Sequence, residues 1–182
     1  MPRLALAAAL LIAAGAGAGG AAVAASLVGQ KAPECALAPL GDSPPFDLAA
    51  ARGAKVLYVD FWASWCGPCV RAFPFLNALD REFRDRGLQV VGINVDERAD
   101  DALAFLRRYR ANFPVAKDSG GACPRAFGVV GMPASYLIDR RGIVREVHIG
   151  FRDGEAAQRR AQVERLLAEP DPGPGGRAEG ER

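Results

Sequence analysis

The residues with the clearest chemistry are the four cysteines, and two of them, Cys66 and Cys69, are separated only by Gly-Pro. Two thiols at this spacing can close into a disulfide when they stand on one turn of a helix. The same spacing also serves zinc sites, so the pair alone is compatible with half of a four-ligand metal centre. The other candidate ligands, Cys35, Cys123 and the single histidine, His148, are scattered along the chain. We therefore favour a redox dithiol and predict no metal.

The segments around this dithiol predict a strand before it and a helix after it. Residues 55–62 are apolar on both faces, which is typical of a buried strand. Residues 68–86 repeat apolar side chains at helical spacing, and Gly87 ends that helix. A helix N-terminus has a partial positive charge and free N–H groups, which stabilise a thiolate. We expect Cys66 to have a lowered pKa and to be the attacking sulfur, with Cys69 one turn further on.

A carboxylate, Asp60, interrupts the predicted strand. Ionised carboxylates are costly in an apolar environment, so the pKa of this group should rise. Such a group can take the proton from Cys69 when that sulfur attacks a mixed disulfide. The alternative is a strand residue turned to a wet edge. We favour the catalytic role because the neighbours on both sides are apolar.

The rest of the chain continues to alternate predicted strands and helices. The predicted elements are a strand over 89–96, a helix started by Asp100 and Asp101, a short strand near Val115, a brief helix over 124–127, strands over 134–138 and 143–149, and a final helix capped by Asp153 with Val163, Leu166 and Leu167 facing inward. Arg141 and Gly142 lie between the last two strands, which should form a hairpin. The order β-α-β-α-β-β-α predicts an α/β fold in which a mixed central sheet has helices on both faces.

Composition divides the chain into three parts. Residues 1–25 have a short basic start, an apolar stretch and then small residues, which is the layout of a secretory signal peptide. An uncleaved membrane anchor is the alternative, and both interpretations place the domain outside the cytoplasm, in the periplasm or its equivalent. Residues 26–168 are predicted to form one domain, and 169–182 a disordered tail rich in Pro, Gly and charge. The formal net charge of +2 predicts no nucleic-acid partner.

Several segments of the chain resemble one known family. Residues 59–69, with the sequence VDFWASWCGPC, resemble the active-site segment of thioredoxins, and Pro74 resembles the proline inside their active-site helix. Residues 131–133, Gly-Met-Pro, resemble the cis-proline loop of the same proteins. Together with the export segment, the chain from about 26 to 167 is similar to the exported thioredoxins of the TlpA/ResA/CcmG type. The resemblance implies a thioredoxin fold with an N-terminal extension.

The resemblance also implies which groups meet a substrate. The Met132–Pro133 bond would be cis and Pro133 would lie against the Cys66 sulfur as part of the catalytic site, its backbone pairing with an extended substrate segment. Without the resemblance a trans proline in a loop would be expected, because few X–Pro bonds are cis. The expected substrate-binding residues are Trp65, Gly67, Pro68 and Met132.

The predicted activity is reduction of protein disulfides by the dithiol, through a mixed disulfide. The Gly-Pro pair between the cysteines is that of thioredoxin, whose potential of about −270 mV is reducing. The resemblance implies a membrane thiol-electron donor, and apocytochrome c or a copper-site protein as acceptor. We expect no cofactor and a monomer. The alternatives are a thiol oxidase or isomerase of the same fold, and a non-redox metal-binding or chaperone module.

Two positions depart from the pattern of the exported relatives. Ala72 stands where these relatives commonly have Glu, and Asp60 stands where many have Asn. An acid–base role of that Glu is therefore absent here, or is taken over by Asp60 or Glu146. His148 is predicted to be a surface or half-buried strand residue rather than a catalytic base. The departures leave assignment to a cytochrome-maturation subgroup open.

The remaining cysteines are Cys35 and Cys123. Cys35 lies in a proline-spaced lead over 28–47, which can form at most short edge strands or turns. In an oxidising compartment two extra cysteines often pair, and a bridge between these two would add about 4 to 5 kcal/mol in the entropic description. The alternative is two separate thiols, one of them used in partner contacts. We favour the bridge.

Overall fold

The computed structural model describes residues 27–52, 55–118 and 120–171. Its strands are β1 (Ala38–Pro39), β2 (Val56–Trp62), β3 (Leu88–Asn94), β4 (Val115–Lys117), β5 (Ala134–Ile138) and β6 (Val144–Ile149). Its α-helices are α1 (Leu48–Ala51), α2 (Gly67–Phe83), α3 (Ala99–Arg108), α4 (Ala122–Ala126) and α5 (Ala156–Ala168). The predicted export segment over 1–25 and tail residues 172–182 lie outside the described residues.

The strands form one six-stranded mixed sheet in the order β1-β4-β3-β2-β5-β6. β2 lies at its centre, parallel to β3 and antiparallel to β5. All seven residues of β2 are buried, as its apolar sequence predicts for a central strand. The register places Asp60 between Gly92 on β3 and Ser135 on β5. The predicted hairpin is confirmed, because β5 and β6 pair antiparallel.

Helices cover both faces of this sheet, which confirms the predicted architecture. Tyr58 and Trp62 pack on one face with residues of α2, α3 and α5. Val59 and Phe61 alternate with them along β2 and pack on the other face with residues of α1 and α4 and the N-terminal lead. The two cores are therefore separated by the sheet, and each has its own set of helices.

The helix after the dithiol runs as predicted, with its last turn tightened. α2 has Cys66 as its N-cap, contains Pro74, and continues as a 3-10 turn over Arg84–Arg86. Gly87 follows with a φ of 98°, in the left-handed region that a side chain would disfavour. The chain can then turn directly into β3, which returns parallel to β2.

The start of the final helix differs from the prediction. Asp153 does not cap it: Asp153–Glu155 form a 3-10 turn, and Glu155 occupies the N-cap position of α5 without a side-chain cap. The reason is that the Glu155 carboxylate instead accepts hydrogen bonds from Arg152 and Arg159. Val163 is buried as predicted.

Two further contacts, one at the start of α1 and one after α5, were not predicted. Asp47 caps the short helix α1 by accepting from the N–H groups of Ala49 and Ala50. Glu169, which composition assigns to the tail, forms an ion pair with Arg145 on β6 at 2.8 Å. None of the helices in the described residues is long and apolar enough to cross a membrane.

Candidate active site

The two cysteines of the Gly-Pro pair meet at the start of α2, where they form a disulfide with Cα atoms 5.3 Å apart. The Cys66 sulfur caps the helix by accepting from the Cys69 N–H at 3.3 Å. Cys66 keeps 4% of its surface exposed, whereas Cys69 is fully buried. A substrate can therefore reach only the first sulfur, which is also the one facing the positive end of the helix.

The turn between β2 and the dithiol is held by Asp96, which follows β3. Its carboxylate accepts from the Ser64 N–H at 2.9 Å, from the Ser64 hydroxyl at 2.9 Å and from the Asn94 amide at 2.7 Å. The Val95 N–H donates to the Trp62 carbonyl at 3.0 Å, which ties the same turn to β3 a second time. These contacts fix the backbone two residues before Cys66. The sequence reasoning missed them, although a polar Asn-x-Asp at the end of an apolar strand is a usable signal.

Asp60 lies at full burial in the centre of β2. By strand alternation its side chain shares the face of Tyr58 and Trp62, whose core also contains Cys69. Its Oδ1 accepts from the Ser135 hydroxyl at 2.6 Å, and its Oδ2 has no hydrogen-bond partner among the described residues. Burial raises the pKa of this carboxyl to about 7, against the lowering effects of Ser135 and Arg159. The predicted upward direction is confirmed, and Asp60 can exchange a proton near neutral pH.

The loop before β5 contains the expected cis bond, between Met132 and Pro133. Pro133 is buried, and its carbonyl accepts from the Gly150 N–H at 2.7 Å. Met132 is half-buried and packs against the core cluster that contains both Cys66 and Cys69. The loop thus joins the dithiol region from the β5 side. Direct contact of Pro133 with the Cys66 sulfur stays a prediction.

Apolar side chains are exposed next to the dithiol and on the elements that flank the cis bond. Trp65, which precedes Cys66, is 70% exposed, and Val130 and Ile149 are 51% and 46% exposed. Gly67 is exposed, and an added Cβ there would meet nothing within 4 Å. Exposed large apolar groups of this kind are typical of interaction surfaces.

The other two cysteines lie on the opposite face of the sheet. Cys35 and Cys123 form a disulfide with Cα atoms 5.2 Å apart, which joins the N-terminal lead to α4. Cys123 is fully buried in the second core, and its N–H donates to Asp118 at 2.7 Å. The structure therefore does not bring this pair to the dithiol.

The remaining predicted residues lie on α2 and β6. Ala72 is buried in α2. Glu146 lies on β6, with a distant partner in Arg165 at 3.8 Å. His148 is half-buried, and its Nε2 lies 3.0 Å from the Gln162 amide oxygen. Burial, chiefly, and the positive charge of Arg159 lower the pKa of His148. No cluster of three or more His, Cys, Asp or Glu side chains in the described ranges has an arrangement that could hold a metal ion.

Comparisons with known proteins agree with this geometry. The family model described as Redoxin matches residues 27–167. The chain is 29% identical over 146 residues to the thiol-disulfide oxidoreductase ResA of Bacillus thuringiensis subsp. konkukian, covering 80% of this chain and 79% of that protein. It is 34% identical over 122 residues to the thiol:disulfide interchange protein HelX of Rhodobacter capsulatus, covering 66% and 67% of the two chains.

A solved structure gives the same result at the level of the fold. The crystal structure assigned as the thiol:disulfide interchange protein DsbE from Chlorobium tepidum superimposes with a TM-score of 0.73 and 42% sequence identity. The match covers 78% of this chain and 98% of that one. The six-stranded mixed sheet with helices on both faces is thus a thioredoxin-like fold.

Proposed function

The chain belongs to the Redoxin family as a thioredoxin-like thiol–disulfide oxidoreductase of the ResA/DsbE type, and we propose that it reduces disulfides in exported proteins. The observation that supports this most directly is the unequal burial of its dithiol. Cys66 caps α2 and keeps a small exposed fraction, whereas Cys69 is fully buried behind it. One sulfur is available to a substrate, and the other is kept for the second step.

The proposed reaction has two exchanges. The Cys66 thiolate attacks a substrate disulfide, so that a Cys66–substrate mixed disulfide forms and one substrate thiolate leaves. Cys69 then loses its proton and attacks the Cys66 sulfur, which releases the second substrate thiolate and leaves the Cys66–Cys69 disulfide. Two electrons have moved from the dithiol to the substrate disulfide. The N–H of Cys69 and the helix N-terminus stabilise the negative charge on the Cys66 thiolate before it attacks the substrate disulfide.

Asp60 is the proposed acceptor of the Cys69 proton. Its pKa of about 7 makes it a base that is ionised in a useful fraction at neutral pH and an acid strong enough to release the proton afterwards. Its Oδ2 oxygen has no hydrogen-bond partner among the described residues, which leaves one acceptor site available for that proton. We therefore assign to Asp60 the acid–base role that Glu has in the exported relatives, since the methyl group of Ala72 cannot carry a proton.

The proposed substrate surface surrounds Cys66. Trp65 offers an exposed indole on one side, Gly67 and Pro68 leave the approach to the sulfur open, and Met132 with Pro133 offers backbone for strand pairing. A surface of this kind fits an extended, partly apolar protein segment that contains a disulfide.

The direction of electron flow is tested by the reduction potential of the Cys66/Cys69 pair. We expect equilibration with glutathione or thioredoxin to give about −270 mV, because the intervening Gly-Pro is the thioredoxin pair. The Cys66→Ser variant reports the Cys35–Cys123 pair alone and is the matched control. A potential near that of DsbA, about −120 mV, would contradict reduction and support a thiol oxidase.

The cellular setting belongs to the same proposal. We assign residues 1–25 to export, 26–168 to the thioredoxin-like domain and 169–182 to a tail. We propose a membrane thiol transporter as the electron donor and cytochrome c or copper-site precursors as the acceptors. The protein is proposed to act as a monomer. Fractionation of cells that produce the full chain tests export. Recovery of the protein in the cytoplasm with its first 25 residues intact would contradict it.

A further inference from the structure

Helix α5 buries an arginine on the face where apolar residues are expected. Arg159 is 2% exposed and precedes Val163 and Leu166 at the i, i+4 and i+7 positions of the inward stripe. A guanidinium is costly to bury unless partners compensate its charge. A charged residue at such a position was the sequence signal for this feature, and it was missed.

The guanidinium of Arg159 is anchored from one side. Its Nη2 donates to Glu155 at 2.7 Å and to the Gly150 carbonyl at 2.8 Å, and the group lies over the Phe151 ring at 5.1 Å. The N–H of Gly150 in turn donates to the carbonyl of Pro133, so the anchor reaches the cis-proline loop. Nε and Nη1 are buried and have no hydrogen-bond partner within the described part of the chain. Much of the positive charge of the Arg159 guanidinium is therefore not neutralised by these contacts and can act on other buried groups.

The interior that Arg159 faces is a polar row across three strands. The register makes Asp60, Ser135 and His148 direct neighbours on β2, β5 and β6. Tyr58 shares the face of Asp60, and its buried hydroxyl has no hydrogen-bond partner among the described residues. The position opposite Asp60 on β3 is Gly92, which offers no charge.

Among the described residues, Arg159 is the cation whose charge acts on Asp60. Its positive charge lowers the pKa of Asp60, of Tyr58 and of His148. Since the pKa of His148 lies below its ordinary value, that ring is mostly neutral at pH 7. The nearby carboxylates, Glu155 and Glu146, act on His148 in the opposite sense from the more exposed side. Toward α2 the surroundings are the dithiol and apolar core.

We propose that Arg159 is a positioning residue for the thiol–disulfide reaction, whose buried charge keeps the Asp60 carboxylate ionised for the Cys69 proton. The inference rests on the proposed role of Asp60 and adds the group that makes this role work at neutral pH. A carboxyl in this apolar layer without a nearby cation would stay protonated and could not act as a base. Arg159 acts through Asp60 and does not itself touch the sulfur atoms in this scheme.

The test measures the resolving step as a function of pH. Reduced protein is mixed with an aromatic disulfide in a stopped-flow instrument; the first thiolate released reports attack by Cys66, and the second reports resolution by Cys69. In Arg159→Met we expect the midpoint of the second phase to move up by about one pH unit, which slows this phase at pH 7 by about fivefold. Arg159→Lys keeps the charge and should restore most of the rate.

The neighbouring residue supplies the matched control. Arg160 lies on the same helix, is only partly buried and pairs with Glu82 on α2. Arg160→Met should leave the pH profile of the second phase unchanged. An equal shift in Arg160→Met and Arg159→Met would overturn the inference, because it would reflect general loss of charge or stability on α5.

Two further variants separate the possible failures. If Asp60→Asn keeps the wild-type profile of the second phase, the proposed base is wrong and the role of Arg159 fails with it. If Asp60→Asn changes the profile but Arg159→Met does not, only the present inference is overturned. Should Arg159→Met not fold, Glu155→Gln removes the anchoring negative charge and should move the midpoint down. An unchanged midpoint in Glu155→Gln would then count against Arg159.

Discussion

Asp60→Asn is a near-isosteric change that removes a titration from the middle of the sheet. In the folded protein the pKa of Asp60 is about 7, against an ordinary value of 3.8, and the chief cause is burial. The folded protein thus binds this proton more tightly than the unfolded chain. The stabilisation from the neutral carboxyl is fully present below about pH 4 and is lost as the pH rises through 7.

The size of the effect follows from the two values. The difference between about 7 and 3.8, at about 1.36 kcal/mol per pH unit, corresponds to about 4 kcal/mol of unfolding free energy. Asparagine does not titrate and can still accept from the Ser135 hydroxyl. The oxidised Asp60→Asn protein should therefore be more stable than wild type by about 4 kcal/mol at pH 8 and nearly equal to it at pH 4.

Urea unfolding of the oxidised protein at pH 4, 6 and 8 measures this difference by linear extrapolation. Asp101→Asn is the matched control, because it removes an exposed carboxylate from α3 and should change stability little at any pH. A stability difference for Asp60→Asn that is the same at all three pH values would refute the reasoning. It would mean that Asp60 is not a titrating, desolvated carboxyl.

Three other predictions concern separate parts of the molecule. Replacing Cys35 and Cys123 together by Ser should lower the unfolding free energy by about 4 to 5 kcal/mol, because their bridge spans 88 residues. The remaining dithiol should still reduce a small disulfide at the wild-type rate, and loss of that activity would contradict a structural role for the bridge. Trp65→Ala should raise KM for a protein disulfide several-fold and change stability by no more than about 0.5 kcal/mol, as expected for an exposed side chain; an unchanged KM would exclude it from the substrate surface. Asp96→Ala should lower the unfolding free energy by about 2–3 kcal/mol and slow the first phase of the stopped-flow reaction, because the two hydrogen bonds from Ser64 are lost. An unaltered first phase would mean that the turn before Cys66 keeps its shape without these two hydrogen bonds.

Local rules account for what could be read from the sequence. The strand before Cys66, the helix after it and the hairpin near the C-terminus depend on apolar periodicity, caps and glycine positions within about ten residues of each other. Gly87 ends its helix as predicted because a left-handed residue is a local requirement. Asp153 does not cap this helix, because the chain first makes a 3-10 turn over Asp153–Glu155 and α5 begins only at Ala156.

Contacts between distant segments were decided only by the tertiary structure. Asp60 could be singled out as a carboxylate among apolar neighbours, but its hydrogen bond to Ser135 joins residues 75 positions apart. The hydrogen bonds between Asp96 and Ser64 likewise depend on strand order. The effect of the Arg159 charge on the pKa of Asp60 depends on how α5 packs against the sheet. The proposed reactive pair, Cys66 and Cys69, could be predicted from a short run of sequence, because the strand before it, the Gly-Pro spacing and the helix after it are local features. The surroundings that set the proton transfers of this pair could not be predicted in the same way, because electrostatic effects in a protein core come from groups that only folding brings together.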